Sequence, residues 1–344
     1  MVSITDVANE AGVSPTTVSH AISGKRTVST AVKARVDAAM ELLGYTPSRS
    51  AQNLALGVTR IIALIIPDIG NGFFAELAKG VERFAVDHGY NVLLCTTGFD
   101  HAREVKYLAM IRSRAVDGVV YAAGAPPTDS ELSGLLGNMP LVLVDEEIAG
   151  ANVSSVVSDN EFGGQLAAEH LLGLGHKSVL VLEASGNLLS SGHRVTGFSG
   201  AWSAEEGTSM SLATGAFTEE GGRTAVAPYV EEMRSGGISA VFAVNDLMAL
   251  GAMNEMRSCG IQVPEMVSVV GFDDIAAVRY SRPALTTIRQ NVLDLGATAT
   301  KVLIETLENK GEPLGRQIVL PVELIIRESS APYQASLRAT ERAD

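Results

Sequence analysis

Charged, amide and aromatic side chains stand at or just beyond the ends of several short apolar runs in this 344-residue sequence. Carboxylates and amides exchange hydrogen bonds with vicinal hydroxyls, an arginine adds a charged fork, and an aromatic ring offers a face for stacking. These residue types together predict a pocket for a sugar-type molecule. The candidate residues are Phe73, Phe74, Asp145, Ser190, Arg194, Phe217, Asn245 and Asp273.

Some of these side chains, and two of their neighbours, have simpler explanations. An aspartate at the end of a strand is often only a helix cap, and we prefer that explanation for Asp246 and Asp274. Phe74 can be explained as a core residue. Phe73 is therefore the stronger candidate for a side chain that lines the ligand pocket. For Arg194 the alternative is a simple bridge between two subdomains.

Short polar side chains form a second set near the N-terminus. Ser14 and Pro15 are residue types preferred at the N-cap and the first position of a helix. This helix presents Thr16, Thr17, Ser19 and His20 near its start. In a helix-turn-helix, side chains at that place reach base edges in the major groove of DNA. The spacing therefore predicts a DNA-reading helix.

Two further helices would hold the DNA-reading helix in place. Residues 4–11 form a helix with one apolar face, and Gly12 permits the left-handed turn that ends it. Residues 28–43 form a longer amphipathic helix that ends at Gly44. The apolar faces of the two helices consist of Val7, Ala8, Ala11, Val32, Val36, Ala39, Met40 and Leu43.

A weak helix of about two turns is predicted at residues 49–57. Isolated helices this short are marginal in water, and Leu54 has no obvious core within the head to join. One interpretation is an interdomain linker. The other is a hinge helix that folds on DNA, pairs with its twin and inserts Leu54 into the minor groove.

From residue 60 onward, apolar runs rich in β-branched residues alternate with helical segments. A continuous apolar run is typical of a strand buried on both faces. The predicted strands are 61–66, 91–95, 116–121, 141–144, 178–182, 240–243, 267–271 and 318–327. Two consecutive sets of this kind imply an α/β body of two Rossmann-like, parallel-sheet subdomains, with a ligand cleft beyond the carboxyl ends of the strands.

Charge is unevenly distributed along the chain. The formal net charge is −13, but residues 1–60 carry six basic and four acidic side chains, which leaves −15 on the rest. A slightly basic head on an acidic body fits a DNA reader whose body stays off the phosphates. The sequence shows neither a membrane span nor a signal peptide, so we expect a cytoplasmic protein.

The sequence does not favour catalysis, a cofactor or a metal site. It has no dinucleotide-binding Gly-x-Gly-x-x-Gly after a strand, no Walker-type loop and no Gly-x-Ser-x-Gly elbow. His170 and His176 are six residues apart, which is poor spacing for a metal pair. Cys95 and Cys259 fit reduced core residues better than a disulfide.

The residues and motifs above resemble those of the lactose/galactose repressor (LacI-type) family of bacterial transcriptional regulators, over essentially the whole chain. Residues 16–20 are similar to the recognition helix of the purine and ribose repressors of that family, and residues 51–55 resemble the lactose repressor hinge. The family usually has Asn where Ser48 stands. The resemblance places Arg194 and Asp273 in the cleft, which favours a ligand site over a simple bridge.

The resemblance implies an all-α helix-turn-helix head, a hinge helix and a body like that of the periplasmic binding proteins. We expect the head at residues 1–46, the hinge at 47–58, the two-lobed body at 59–330 and a flexible tail at 331–344. Lobe 1 takes residues 59–159 and 291–320, and lobe 2 takes 160–290 and 321–330. The expected DNA contacts are Thr5, Ser14, Pro15, Thr16, Thr17, Ser19, His20, Tyr45, Ser48, Leu54 and Ala55.

We therefore expect a DNA-binding regulator, a repressor that binds a palindromic operator and responds to a small-molecule effector, a sugar or sugar derivative. The head has little positive charge, so two copies are needed for firm binding. Residues 331–344 show no Leu heptad, which predicts a homodimer without the coiled coil that forms tetramers.

Two alternatives stay open from the sequence. A free-standing sugar receptor of the periplasmic type would share the two-lobed body, although the head fused in frame and the missing secretion signal oppose it. A regulator that responds to a nucleobase or nucleoside as corepressor would share the head and the body. The sequence leaves open the effector, the operator, and whether the effector induces or corepresses.

Overall fold

The computed structural model describes residues 2–24, 26–45, 58–111, 116–186, 188–308 and 315–334. These residues form a helical head and an α/β body that contains two sheets. Most of the predicted hinge, including Ser48, Leu54 and Ala55, lies outside the described residues, as does the tail beyond residue 334.

The head consists of three helices around a small apolar core. They are α1 (Ile4–Ala11), α2 (Pro15–Ser23) and α3 (Thr30–Leu43). Val7, Val18 and Val36 are fully buried where the helices meet. Each helix begins at a serine whose side chain accepts a backbone N–H and ends at a glycine in the left-handed region. The predicted helix-turn-helix is therefore confirmed, including the caps at Gly12, Ser14 and Gly44, while the cap at Ser3 was not predicted.

The first sheet of the body is parallel, with strand order β11-β5-β4-β3-β1-β2. Its strands are β1 (Ile61–Ile66), β2 (Asn91–Thr96), β3 (Gly118–Tyr121), β4 (Leu141–Val144), β5 (Ser154–Ser158) and β11 (Gln317–Leu320). In chain order, the helices that connect β1, β2, β3 and β4 are α4 (Gly72–Asp87), α5 (His101–Ile111) and α6 (Asp129–Leu136).

The second sheet repeats this order as β12-β10-β9-β8-β6-β7, and only β12 pairs antiparallel, against β10. Its strands are β6 (Ser178–Ala184), β7 (Ser209–Gly215), β8 (Ala240–Ala243), β9 (Ser268–Asp273), β10 (Thr286–Gln290) and β12 (Val322–Ile325). Its helices are α7 (Asn160–Gly173), α8 (Leu189–Ser203), α9 (Glu219–Val226), α10 (Val230–Ser235) and α11 (Asp246–Ser258). The last helix, α12 (Val292–Glu308), packs against the first sheet and α4.

Several strands differ from the sequence prediction. β5, β7 and β10 were not predicted, because serine, threonine or exposed positions interrupt their apolar pattern. The predicted strand at 318–327 is two strands in different sheets. The break falls at Pro321, which has no N–H to donate to a ladder, so the chain leaves one sheet there and enters the other.

The chain passes between the two sheets three times. The crossings lie between β5 and α7, between β10 and α12, and between β11 and β12. Two of them touch, since the N–H of Asp159 donates to the carbonyl of Leu320 at 2.9 Å. In a parallel sheet the carboxyl ends of the strands form the ligand-binding edge, and all three crossings start at such an end.

Candidate functional site

Arg194 lies at the centre of the site. It is in the second turn of α8 and is only 1% exposed. Its Nε donates to Oδ1 of Asn160 at 2.8 Å, and its Nη1 donates to the carbonyl of Val244 at 2.7 Å. The guanidinium lies 4.0 Å from the centre of the Phe272 ring. This cationic fork is held rigidly by the second lobe.

Two carboxylates approach Arg194 from different lobes. Asp273, at the end of β9, places Oδ1 3.6 Å from Nη1, and Asp145, just after β4, places Oδ1 3.9 Å from Nη2. Both distances are ion-pair distances and too long for direct hydrogen bonds. Arg194 thus contacts both lobes, and each carboxylate oxygen keeps hydrogen-bonding capacity for another molecule.

The backbone of both aspartates is strained. The φ angle is +67° at Asp145 and +121° at Asp273, in a region that residues with a Cβ rarely adopt. Such strain costs on the order of 1–3 kcal/mol per residue and is concentrated at functional sites. Asp274, which follows Asp273, also has a positive φ, +57°, but its carboxylate pairs with other arginines.

Burial changes the acidity of both carboxyl groups. Burial raises the pKa of Asp145 to about 8; Arg194 opposes this rise, while Glu146 and Asp273 add to it. Burial also raises the pKa of Asp273 to about 6, against the lowering effects of Arg194 and of a hydrogen bond from Gln290. Near neutral pH the site therefore contains both a proton-holding and an ionised carboxyl group.

Three buried polar atoms in the described part of the chain have no hydrogen-bond partner. They are Oδ1 of Asp145, Oγ of Ser158 and Oε1 of Gln290. All three residues stand at or just after the carboxyl end of a strand. Gln290 also donates through Nε2 to Oδ1 of Asp273 at 2.7 Å, which ties it to the cluster around Arg194. Unpaired buried polar atoms are rare in native structures and indicate a missing partner.

Sequence reasoning missed Gln290, Ser158 and Glu146. The first two end strands that were not predicted, so their place at the ligand-binding edge was hidden. Glu146 directly follows Asp145 and is 2% exposed. Its carboxylate accepts the hydroxyl of Ser190 at 2.7 Å, across the two lobes. The signal available in the sequence was its position beside Asp145 at the end of β4.

Other predicted residues hydrogen-bond within the protein. Asn245 caps α11, accepting the N–H of Met248 at 2.8 Å, and its Nδ2 donates to the carbonyl of Phe217 at 3.4 Å. Ser190 donates its hydroxyl to Glu146. Phe217 is half-buried in the loop after β7.

The two adjacent phenylalanines open helix α4. Phe73 and Phe74 are both 4% exposed and meet edge to face, with ring centres 5.1 Å apart. Both belong to the main apolar cluster of the body. They form a buried aromatic pair at the start of α4 and do not present an open ring face on which a ligand could stack.

The two neighbouring aspartates have structural partners, although neither acts as a simple helix cap. Asp246 is fully buried and accepts the N–H of Ile275 at 2.9 Å and the hydroxyl of Thr287 at 2.6 Å. Asp274 pairs with the guanidinium groups of Arg279, Arg289 and Arg327. Burial acts to raise the pKa of Asp274, but the bonds from Arg289 and Arg327 outweigh it and hold the pKa low.

On the head, the predicted DNA contacts from Ser14 to His20 lie at the N-cap and in the first two turns of α2, whereas Thr5 is in α1 and Tyr45 follows α3. Ser14 caps the helix through the N–H of Thr17 at 3.1 Å. The exposed members of the set are Thr5, Ser14, Pro15 and Thr16, and the half-exposed members are Thr17, Ser19 and His20. Tyr45 packs against the core of the head.

The described residues contain neither a candidate membrane-spanning helix nor a candidate metal cluster. No helix there is both long and apolar enough to cross a membrane. No group of three or more potential ligands in the same part of the chain is arranged to hold a metal ion.

A helix-turn-helix head joined to a two-lobed body with a polar cleft defines a ligand-responsive DNA-binding regulator. The family model described as "Bacterial regulatory proteins, lacI family" matches residues 3–48. The model described as "Periplasmic binding proteins and sugar binding domain of LacI family" matches residues 59–328. The chain belongs to the LacI family of bacterial transcriptional regulators, and it is not an enzyme.

Relatives match along nearly the whole chain. The HTH-type transcriptional regulator DegA of Bacillus subtilis is 34% identical, covering 96% of this chain and 98% of DegA. The HTH-type transcriptional repressor PurR of Haemophilus influenzae is 35% identical over the same shares. A solved structure of the lac repressor dimer bound to operator and an anti-inducer has a TM-score of 0.80 and 26% identity, and covers 96% of this chain and 99% of that one.

Proposed function

We propose that this chain is a homodimeric repressor that binds a palindromic operator and is controlled by a sugar-type effector in the cleft between the lobes. Its place of action would be the cytoplasm, where its operator DNA is. The main observation in support of the effector site is the cluster of polar side chains around Arg194. There, Asp145 and Gln290 leave buried acceptor atoms without partners.

The chemistry of the cluster supports a polyhydroxy effector. Asp145, Asp273 and Gln290 supply acceptors, and the guanidinium of Arg194 lies within ion-pair distance of both carboxylates. A sugar ring presents several hydroxyls that can donate to such acceptors. Contacts from both lobes to one ligand would also link its binding to lobe closure.

Two features support operator binding by a dimer. On the head, α2 presents its polar residues on the side away from the buried Val18. On the body, large apolar side chains are exposed on the outer strands β2 and β7, at the same end of the two sheet orders. They are Leu93, Leu94, Met210 and Leu212. Exposed apolar side chains on sheet edges are typical of association surfaces.

The hinge completes the proposal. Residues 47–58 would fold on DNA, and Leu54 would enter the minor groove at the operator centre. The proposed contacts at Ser48, Leu54 and Ala55 rest on the sequence, since these residues lie outside the described part of the chain.

The proposed effector site is tested by ligand screening followed by mutation. A thermal-shift screen of the purified protein against sugars, sugar phosphates, nucleobases and nucleosides identifies ligands, because a ligand of the folded state raises the Tm. The ligand found is then titrated by calorimetry into Asp273→Asn and Arg194→Ala. Losing one charged hydrogen bond in a desolvated site costs about 1.5–3 kcal/mol, so we expect affinity to fall roughly 10–100-fold.

The control is Asp87→Asn, which removes an exposed carboxylate at the far end of α4 and should leave effector affinity unchanged. Operator binding by all variants without effector should match that of the wild type. Wild-type affinity in both site variants would remove Arg194 and Asp273 from the site. A nucleobase or nucleoside as the ligand found would replace the sugar in this proposal.

A further inference from the structure

Helix α8 is capped from the other lobe. Its N-cap residue is Leu188, which has no side-chain hydrogen bond to offer to the first turn. The N–H groups at the start of a helix need acceptors when they are buried. Here Glu146, which follows β4 in the first sheet, supplies the acceptors.

The carboxylate of Glu146 fills this helix end. Oε1 accepts the N–H of Leu189 at 2.8 Å and the N–H of Ser190 at 3.1 Å. Oε2 accepts the hydroxyl of Ser190 at 2.7 Å. All three partners on α8 donate, so the contact suits an ionised carboxylate. Glu146 is 2% exposed, and no open solvent remains around it.

The positive end of a helix is the place where a fold of this kind most readily binds an anion. At α8 that place lies one turn from Arg194 and is already occupied by the protein. The unpaired Oε1 of Gln290 nearby is an acceptor, and the ionised carboxylate of Asp273 lies beside this residue, accepting from its Nε2 at 2.7 Å. The guanidinium of Arg194 is already engaged by Asn160, Val244 and Asp273. A phosphate or carboxylate on a ligand would therefore meet an acceptor and negative charge, with the helix end already filled.

We propose that Glu146 is a specificity-determining residue that excludes anionic ligands from the cleft and restricts the effector to uncharged or cationic polyhydroxy compounds. This inference rests on the proposed function, because it refines the chemistry of the same effector site. Glu146 would let the cleft bind plain sugars and amino sugars but not sugar phosphates or sugar acids, although these compounds share most of their hydroxyl groups.

The test compares anion binding by the intact protein before and after Glu146 is removed. Inorganic phosphate, D-ribose, D-ribose 5-phosphate, D-glucose and D-glucose 6-phosphate are titrated at constant ionic strength, with calorimetry and Tm as readouts. The wild type should show no saturable binding of inorganic phosphate or of either sugar phosphate. Glu146→Ala frees the helix end and should bind inorganic phosphate saturably, with an affinity at least about ten-fold above the detection limit of the titration.

A matched control is Glu131→Ala. Glu131 also caps a helix, α6, but does so from within that helix, through the N–H of Thr128 at 2.9 Å and its hydroxyl at 2.8 Å. This variant loses one carboxylate and one cap, as Glu146→Ala does, and should gain no phosphate binding. Glu146→Gln keeps the shape without the charge, so it should bind the sugar phosphates more tightly than the wild type even where Glu146→Ala does not fold.

The inference is overturned if the wild type binds inorganic phosphate or a sugar phosphate as tightly as the Glu146 variants do. It is also overturned if the folded variants gain no anion binding. The failure of the proposed function would look different. In that case the Glu146 variants would gain phosphate binding as expected, while no sugar in a broader screen bound the wild type.

Discussion

At the scale of single residues, acidic side chains outnumber basic side chains in the cleft. Asp145 and Asp273 lie within ion-pair distance of one guanidinium, that of Arg194, which already donates to Asn160 and Val244, and Glu146 is buried beside Asp145. Burial makes a charged carboxyl group costly. The protein meets this cost partly through raised pKa values, which let Asp145 hold a proton near neutral pH. A protonated carboxyl can donate as well as accept, which widens the set of hydroxyl orientations the site can bind.

Stability should depend on pH through Asp145. Its pKa in the folded chain is about 8 against an ordinary value of 3.8, so the folded state binds the proton more tightly than the unfolded state does. Stability is therefore full below the ordinary value and falls as pH rises toward 8. We expect Asp145→Asn to match the wild type near pH 4 and to exceed it near pH 8, by on the order of 1–3 kcal/mol.

The measurement is urea unfolding of the two proteins across that pH range. Asp87→Asn serves as the control, because it makes the same substitution at an exposed carboxylate at the far end of α4. A constant difference between Asp145→Asn and wild type from pH 4 to pH 8 would contradict a raised pKa at Asp145.

At the scale of elements, α8 holds its place by close backbone contact with α7. A Cβ added at Gly197 would lie 1.8 Å from the carbonyl oxygen of Glu161, and one at Gly164 would lie 2.1 Å from that of Arg194. These distances are far below van der Waals contact. The glycines therefore let α8 approach α7 closely, and α8 carries Ser190 and Arg194 into the cleft.

Gly197→Ala should force the two helices apart. Overpacking of this kind costs about 1–3 kcal/mol, occasionally more, and the displacement of α8 should also weaken effector binding. Gly200→Ala is the control on the same helix, because a Cβ there meets nothing within 4 Å, and it should be neutral or stabilising by about 0.5–1 kcal/mol. Equal unfolding midpoints in urea for the two variants would contradict the role of Gly197.

The DNA-reading helix offers a second test at this scale. Thr16 is exposed in the first turn of α2, where a short polar side chain can reach a base edge. Thr16→Ala should weaken operator binding by roughly 1–3 kcal/mol and spare binding to random DNA. The operator is first selected from a pool of random duplexes, and affinities are measured at one fixed salt concentration.

Thr30→Ala is the matched control for this substitution, because Thr30 is also exposed in the first turn of its helix, α3. It should leave operator binding unchanged. Equal losses on operator and random DNA in Thr16→Ala would instead make Thr16 a phosphate contact.

Elements with strong local signals could be predicted from the sequence, and elements defined by their neighbours could not. Ser14, Pro15 and Gly12 fix the turn of the head by local chemistry, and the run at β1 is apolar throughout. By contrast, β7 is a sheet edge with mostly exposed positions, and β5 begins with two serines. Their pairing partners lie elsewhere in the sequence, so no local pattern reveals them.

The same limit applies to the site. Asp145, Arg194 and Asp273 follow predicted strands or open a predicted helix, and the structure brings them together. Gln290 was hidden because it ends an unpredicted strand. The partner of Glu146 is the start of α8 in the other lobe, and contacts of that kind depend on how the two lobes meet.

At the scale of the whole molecule, the two lobes are joined where the chain crosses between them three times. A change at these crossings can therefore alter the relative position of the lobes. Ser158 and Gln290, which have unpaired buried atoms, stand next to two of these crossings. A ligand that bonds to them would act directly where the lobes join. The first lobe follows the hinge in the chain, so a change of lobe arrangement can be transmitted to the heads of a dimer.

Effector and operator should therefore affect each other's binding by the same factor. Coupling free energies of this kind are typically 1–3 kcal/mol, or about 5–150-fold in affinity, and they are reciprocal. We expect the effector found by screening to bind the operator complex and the free protein with different affinities. Operator affinity with and without effector should change by the same factor and in the same direction.

Calorimetry on the protein with operator, or with a scrambled duplex of equal length, measures the first ratio, and operator titrations measure the second. In Asp273→Asn both ratios should move toward one, since a ligand shifts an equilibrium only through its differential affinity for the two states. Effector binding that is equally tight to free and operator-bound protein would show that the cleft does not regulate DNA binding.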